Sequence, residues 1–433
     1  MTDHTGTPDT AALPGGPGGP ASTDVPATEP TSRPAGGFGT GTPRAVTMWE
    51  FSWLLRRSGE QREYADVDRV LDELVERGYD CVRIDAFPHL VAGDRDGRRS
   101  ESFAVHPQPD HFMWGPHGRK ITVVDPGASL VEFIRGCRDR GVGVALSSWF
   151  NDDDEHRRLG IRTPEDLARV WRETLEVIEA AGVLDAVEFV DLCNEFPLDD
   201  WLPAVHEQIF GRPEHQEPSI PGQPTAEGWV WSRGQRGEIE RFFAATAGLR
   251  ERWPAIAFTY SLAPVSESLF ELDYRSLDLI ETHVWLSSNV ADYAALTNFS
   301  LEEHGFPGAW QKQVDSLDEV YWPDPARWHA ALEQQMQRWA EVARDLDVPL
   351  WTTEGWSHIL LDDFTSPAGR TAWEYVKHVA EFAVPTALRL GWTGICTSNF
   401  AEPHFPALWA DVEWHRRMTA QIKAGAAAPA PRS

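Results

Sequence analysis

The chain has 433 residues, 42% hydrophobic and 24% charged, a globular composition long enough for one α/β barrel with insertions or for two domains. Its 67 acidic and 39 basic residues leave a formal net charge of −28, which speaks against nucleic acid or an anionic membrane as a main partner, since both require clustered Lys and Arg. No run approaches the roughly 18 apolar residues of a membrane span.

Residues 1–43 are rich in Gly, Pro, Thr, Ala and Ser and nearly devoid of large apolar side chains, so a disordered tail is expected there, and again over 424–433. The amino terminus carries neither a basic region nor an apolar core of the kind a secretion signal needs, and a cytoplasmic location is expected. Between the tails, short apolar runs alternate with helix-period segments. Strands are expected at 45–54, 80–88, 142–150, 186–195, 255–262, 277–286, 349–354 and 393–400, and helices at 63–77, 128–140, 164–181, 234–252, 266–275, 325–346, 367–390 and 406–423. Asp125-Pro126, Thr163-Pro164 and Ser366-Pro367 each place a capping residue before a proline that suits the first helical turn, and Gly78 stops the helix begun near Tyr64.

Eight strands alternating with eight helices is the count of a (β/α)₈ TIM barrel, expected over 44–423. The connections after strand four (196–233) and strand six (287–324) are too long for plain turns, and both leave from the strand ends where barrel active sites form. The first carries Trp201 and Trp231, the second Trp322. The four cysteines, Cys81, Cys137, Cys193 and Cys396, contain no CxxC pair and are expected to be buried thiols. Asn151-Asp-Asp-Asp154 is expected to be a solvated turn.

Two glutamates stand out. Glu195 closes the run Ala186–Glu195 directly after Asn194 and before Phe196-Pro197, and Glu354 closes Val348–Glu354 before Gly355. A strand that ends in a carboxylate and then a Pro or Gly break presents a charge at the mouth of a barrel. Two such groups on strands four and seven suit glycosidic bond cleavage, which needs one carboxylic acid and one carboxylate with their pKa values pushed apart. A separation of roughly 5 Å would correspond to a retaining mechanism.

The segments Val190-Asp-Leu-Cys-Asn-Glu-Phe-Pro197 and Pro349-Leu-Trp-Thr-Thr-Glu-Gly355 resemble the strand-four and strand-seven signatures of clan A glycoside hydrolases, closest to the cellulase-like enzymes of family 5. The resemblance runs over 45–420 as ordered motifs. It implies Glu195 as acid/base, Glu354 as nucleophile, Asn194 as a ligand of the sugar 2-hydroxyl, Arg83 as the cation that keeps the nucleophile ionised, and His283 as a group near both nucleophile and sugar. It implies no cofactor and no metal.

Two positions depart from the pattern. Trp285 stands where the family carries a strand-six tyrosine, and strand eight offers Asn399 and Phe400 near its end in place of a tryptophan platform. Trp49, Glu50, Trp53 and Trp149 are candidate substitutes for sugar contacts, because an indole offers a flat apolar face and one donor. The reading is an exo-acting retaining glycosidase on short oligosaccharides or glycosides. Its rivals are a carbohydrate-binding barrel without catalysis and a metal-dependent barrel isomerase or hydrolase built on Asp85, His89, Glu195, His283 and Glu354. Oligomeric state, sugar, linkage and anomer are not legible in the residues.

Overall fold

A computed structural model describes residues 41–58, 62–106, 121–198, 201–211, 230–263, 266–297, 307–357, 364–399 and 401–425. Both expected tails fall almost wholly outside these segments.

Eight parallel strand positions circle the fold: β1 (Arg44–Met48), β2 (Cys81–Asp85), β3 (Gly143–Ser147), β4 (Val187–Asp191), β5 (257–262), β6 (Ile280–Thr282), β7 (Leu350–Thr352) and β8 (Gly394–Cys396). Position β5 is one extended segment interrupted at Tyr260. Its first half, Ala257–Thr259, pairs with β4, and its second half, Ser261–Leu262, pairs with β6. Since β1 also pairs with β8, the ladder returns to its start and the sheet is a closed (β/α)₈ barrel.

The helices form where the caps lie. Helix α1 (Val67–Glu76) starts at Asp66, whose carboxylate accepts from Arg69 N, and it buries Val70, Leu71 and Leu74. Helix α2 (Pro126–Asp139) starts at Asp125 and α3 (Pro164–Ala180) at a Thr163–Asp166 capping box. Then come α4 (Arg233–Ala244), α5 (Thr246–Arg252), α6 (Pro325–Leu346), α7 (Ala372–Arg389) and α8 (Val412–Ala424).

Several expectations need correction. Except for β5, which ends at Leu262 as expected, the strands end two to six residues earlier than the apolar runs do, because those runs continue into buried turns at the barrel mouth; 52–55 is a helical turn, for example. Residues 266–275 do not form an α-helix but a short 3₁₀ turn, Glu267–Glu271. Ser366 belongs to a tight turn, and Thr371 caps α7. A third long connection, after β2, carries Phe103–His106 and Thr122–Val124, which pair antiparallel, and Asp152–Asp153 joins them. That acidic stretch is therefore not a solvated turn: Asp152 and Asp153 are buried, with Asp152 paired to His156 and Arg158. The four cysteines are free and buried, as expected.

Inside the barrel, alternation along the strands builds two layers. Val46, Cys81, Ala145, Phe189, Ala257, Leu279 and Trp351 form a compact apolar plug. Gly394 makes room for it: a Cβ there would lie 1.9 Å from Trp351 Cδ2. Two residues further along six of these strands stand Arg83, Ser147, Asp191, Thr259, Glu281 and Thr353, all fully buried, while Met48 follows Val46 on β1. The plug is thus roofed by a polar layer at the end of the barrel where the strands finish.

Candidate active site

Arg83 is the hub of that polar layer. Its Nη1 donates to Glu354 Oε1 at 2.6 Å, and its Nη2 to Asp191 Oδ2 at 2.7 Å, Asn194 Oδ1 at 2.6 Å, Ser147 Oγ at 3.0 Å and Ser261 Oγ at 3.2 Å. Trp149 lies under the guanidinium, with Cζ 4.5 Å from the ring centroid. Burial opposes this charge, but Asp191, Glu281 and Glu354 outweigh it and keep the group protonated. A planar fork that can meet several acceptors at once explains why arginine occupies this position.

Glu195 follows β4 in a left-handed backbone conformation, φ 47°, held by a 2.8 Å bond from its N–H to Ser261 Oγ. Glu50, Phe87 and Phe150, just beyond β1, β2 and β3, share positive φ. Such conformations cost about 1–3 kcal/mol each and collect where a fold positions side chains for use. At the mouth of this barrel they turn the chain sharply inward after four consecutive strands.

His283 sits between the carboxylates. Its Nδ1 lies 2.9 Å from Glu195 Oε1, and its Nε2 lies 3.2 Å from Glu281 Oε2 and 3.7 Å from Glu354 Oε1. Burial disfavours the imidazolium, but the charges of Glu354 and Glu281 and the bond to Glu195 outweigh it, holding the ring up to about 10. Glu281, against its own burial, is held down to about 2 by His283, Arg83 and the two bonds it accepts from Thr353. Glu354 goes the other way. Burial, with Glu195 and Glu281 nearby, pushes it up to about 7 against the pull of His283 and Arg83.

One donor atom from each of Glu195, His283 and Glu354 lies within 4.8 Å of the others. The two carboxylates therefore face each other across a small gap. Their exposure differs: the Glu354 side chain is 4% exposed and that of Glu195 18%. A protonated His283 has no lone pair to give, which makes this trio a poor metal cage.

The remaining sequence candidates are distributed unevenly. Asn194 and Asn399 are buried near the glutamates, and Asn194 Nδ2 and both amide atoms of Asn399 have no hydrogen-bond partner among the described residues. Asn399 N donates to Gly355 O at 2.8 Å, directly after Glu354. Trp285 pairs in register with Trp356 in a short strand extension above β6 and β7. Trp49 and Trp53 are fully buried: Trp49 is flanked edge-on by Tyr64, Phe133 and Trp409, and Trp53 donates to Asp85 O at 3.0 Å. Asp85 caps the mouth turns, accepting from Phe87 N at 2.7 Å and Trp149 N at 3.1 Å, and His89 is turned to Asn151 O. Trp201 and Trp231 are buried. Phe400 lies outside the described residues.

A family model described as sugar-binding, cellulase-like matches residues 46–423. The chain belongs to the cellulase-like family. A provisionally assigned glycoside hydrolase from Parabacteroides distasonis is 33% identical, with a TM-score of 0.75 over 89% of this chain and 94% of that one. Weaker likenesses are the cellulose synthase subunit Z of Clostridioides difficile (11% identity, TM-score 0.47, 88% and 99% covered) and an endo-1,4-beta-D-mannanase of Thermotoga petrophila (10% identity, TM-score 0.43, 82% and 87% covered). No curated protein sequence matches the chain. No described helix is long and apolar enough to cross a membrane.

Four residues of the polar layer around Arg83 and His283 escaped sequence reasoning: Ser147, Asp191, Ser261 and Glu281. Strand parity held a signal for two of them. Glu281 lies two residues before His283 and so shares its inward face, and Asp191 lies two residues beyond the plug residue Phe189.

Proposed function

We propose that this cellulase-like protein is a retaining glycosidase in which Glu354 attacks the anomeric carbon and Glu195 protonates the departing oxygen. The observation that carries the reading is the separation of the two glutamates, within 4.8 Å. Retaining enzymes hold their carboxyls at about 5–5.5 Å, whereas inverting enzymes leave room for a water, at about 6.5–9.5 Å. The assignment of roles rests on surroundings. Glu354 is the more enclosed and is bonded to Arg83, which favours its ionised form when substrate arrives. Glu195 is the more exposed, as a group must be that passes a proton to a leaving group and then takes one from water.

On this reading the proton passes from Glu195 to the departing glycosidic oxygen. His283 donates to Glu195 in the resting site, and a sugar oxygen arriving between them would compete for that contact. Asn194 and Asn399 offer amide groups to sugar hydroxyls, with Trp149 and Trp285 as aromatic walls. The substrates we infer are short oligosaccharides or glycosides cut from a chain end. Support for this comes from the connections after β4 and β6, which place the helices Pro203–Phe210 and Pro307–Val320 beyond the strand ends.

An aryl-glycoside panel with proton NMR of the first-formed sugar tests the reading. Retention of configuration is expected, with turnover abolished by Glu354→Gln and reduced about 10²–10⁴-fold by Glu195→Gln. Inversion, or turnover that survives Glu354→Gln, would sink it.

A further inference from the structure

A second trio shares no residue with the first. Glu50, just beyond β1, and Glu402 and His404, in the loop after β8, each bring one donor atom within 4.8 Å of the other two. Both glutamates are fully buried, and the His404 side chain is 1% exposed. The loop is fastened in place, because Ala401 O accepts from the Thr47 hydroxyl and from Trp49 Nε1. Part of the trio's bonding is local: Glu50 Oε1 accepts from Ser52, and Tyr64 Oη lies 3.2 Å from Glu402 Oε2 and 3.4 Å from His404 Nδ1.

What remains is unusual for a protein interior. Glu50 Oε2, Glu402 Oε1 and His404 Nε2 are buried with no hydrogen-bond partner among the described residues. Such atoms cost free energy unless something meets them. Arg56 acts on all three groups by its charge and is also paired with Glu63 at 3.3 Å. Two carboxylate oxygens and one imidazole nitrogen form a mixed donor set suited to a first-row divalent ion. Contact with a tetrahedral ion needs donors about 3.4 Å apart, and Glu402 Oε2 and His404 Nδ1 lie 3.3 Å apart.

We propose that Glu50, Glu402 and His404 bind one first-row divalent cation, zinc or manganese, which clips the end of the first barrel strand to the loop that follows the last. The ligands are 352 and 354 residues apart in sequence, so the clip would join the two ends of the barrel chain. A bridge across so long a separation removes substantial freedom from the unfolded chain. Tyr64 would hold both Glu402 and His404 in orientation. The role is structural and lies outside the glycosidic reaction, so it stands independently of the proposed activity.

The test uses the full chain stripped with a chelator, desalted, and loaded with zinc or manganese alone, with magnesium and calcium as oxygen-preferring controls. Metal retained after gel filtration is measured by mass spectrometry, and melting temperature by calorimetry. About one zinc or manganese per chain is expected, with a rise in melting temperature that grows with free metal concentration. His404→Gln and, separately, Glu50→Gln should lose both effects, while Glu354→Gln keeps them. Absence of retention and of any melting shift would overturn the proposal in favour of a proton shared by Glu50 and Glu402. Retention lost in Glu354→Gln but kept in His404→Gln would also overturn it, by moving the metal to the catalytic trio.

Discussion

Replacing Glu281 by Gln isolates the electrostatics of the site from its chemistry, because Glu281 is not one of the two proposed reacting groups. A glutamine can keep the acceptor that Thr353 uses, through bonds of 2.8 and 2.7 Å. It removes the negative charge 3.2 Å from His283 Nε2 and can place an amide donor there instead. Breaking a buried pair of this kind costs about 3–5 kcal/mol, and the retained Thr353 bonds argue for the lower end. The effect has a pH signature. His283 in the folded wild type keeps its proton up to about 10, against 6.5 for an unperturbed histidine. A raised histidine pKa contributes stability in full below 6.5 and loses it as pH rises through 10. In the variant the folded imidazole should titrate about one to two pH units lower, so it gives up its contribution earlier. Urea unfolding of both proteins from pH 7 to 10 should show a gap of about 3 kcal/mol at pH 7 that narrows by at least about 1 kcal/mol at the alkaline end. The buried thiols and tyrosines, common to both proteins, cancel in the difference. Parallel curves, or a gap under about 1 kcal/mol at pH 7, would refute the claim that Glu281 holds His283 charged.

Gly394→Ala should destabilise the protein by about 3 kcal/mol or more, because the new methyl would meet Trp351 at 1.9 Å in a plug with no slack; Trp351→Leu in the same chain should recover part of the melting temperature. Turnover should fall as pH drops below about 7, where Glu354 takes up a proton and ceases to be a nucleophile, and a rate that stays flat to pH 5 would contradict that role. Thr163→Ala should cost about 1 kcal/mol in thermal unfolding by removing the box that starts α3, with no change in activity.

Local chemistry determined much of this protein. Asp66, Asp125 and Thr163 begin helices where their hydrogen bonds to the backbone require it, and the strand–helix alternation was enough to specify a barrel. The ordered residues Arg83, Asn194-Glu195, His283 and Glu354 marked the candidate site, because each ends or nearly ends an apolar strand, where an inward charge needs a partner. The apolar runs could not show where their strands stop, since buried turns at the mouth are as apolar as the strands; this is why 52–55 reads as strand in the sequence and folds as a helical turn. Only the closed barrel brings Glu195 and Glu354 to His283, Asp191 to Arg83, and Glu50 to Glu402 and His404. These contacts join residues on different strands, some more than 300 positions apart. Their strength comes from shared burial, a property that no single strand possesses and that appears only when the ring of strands closes.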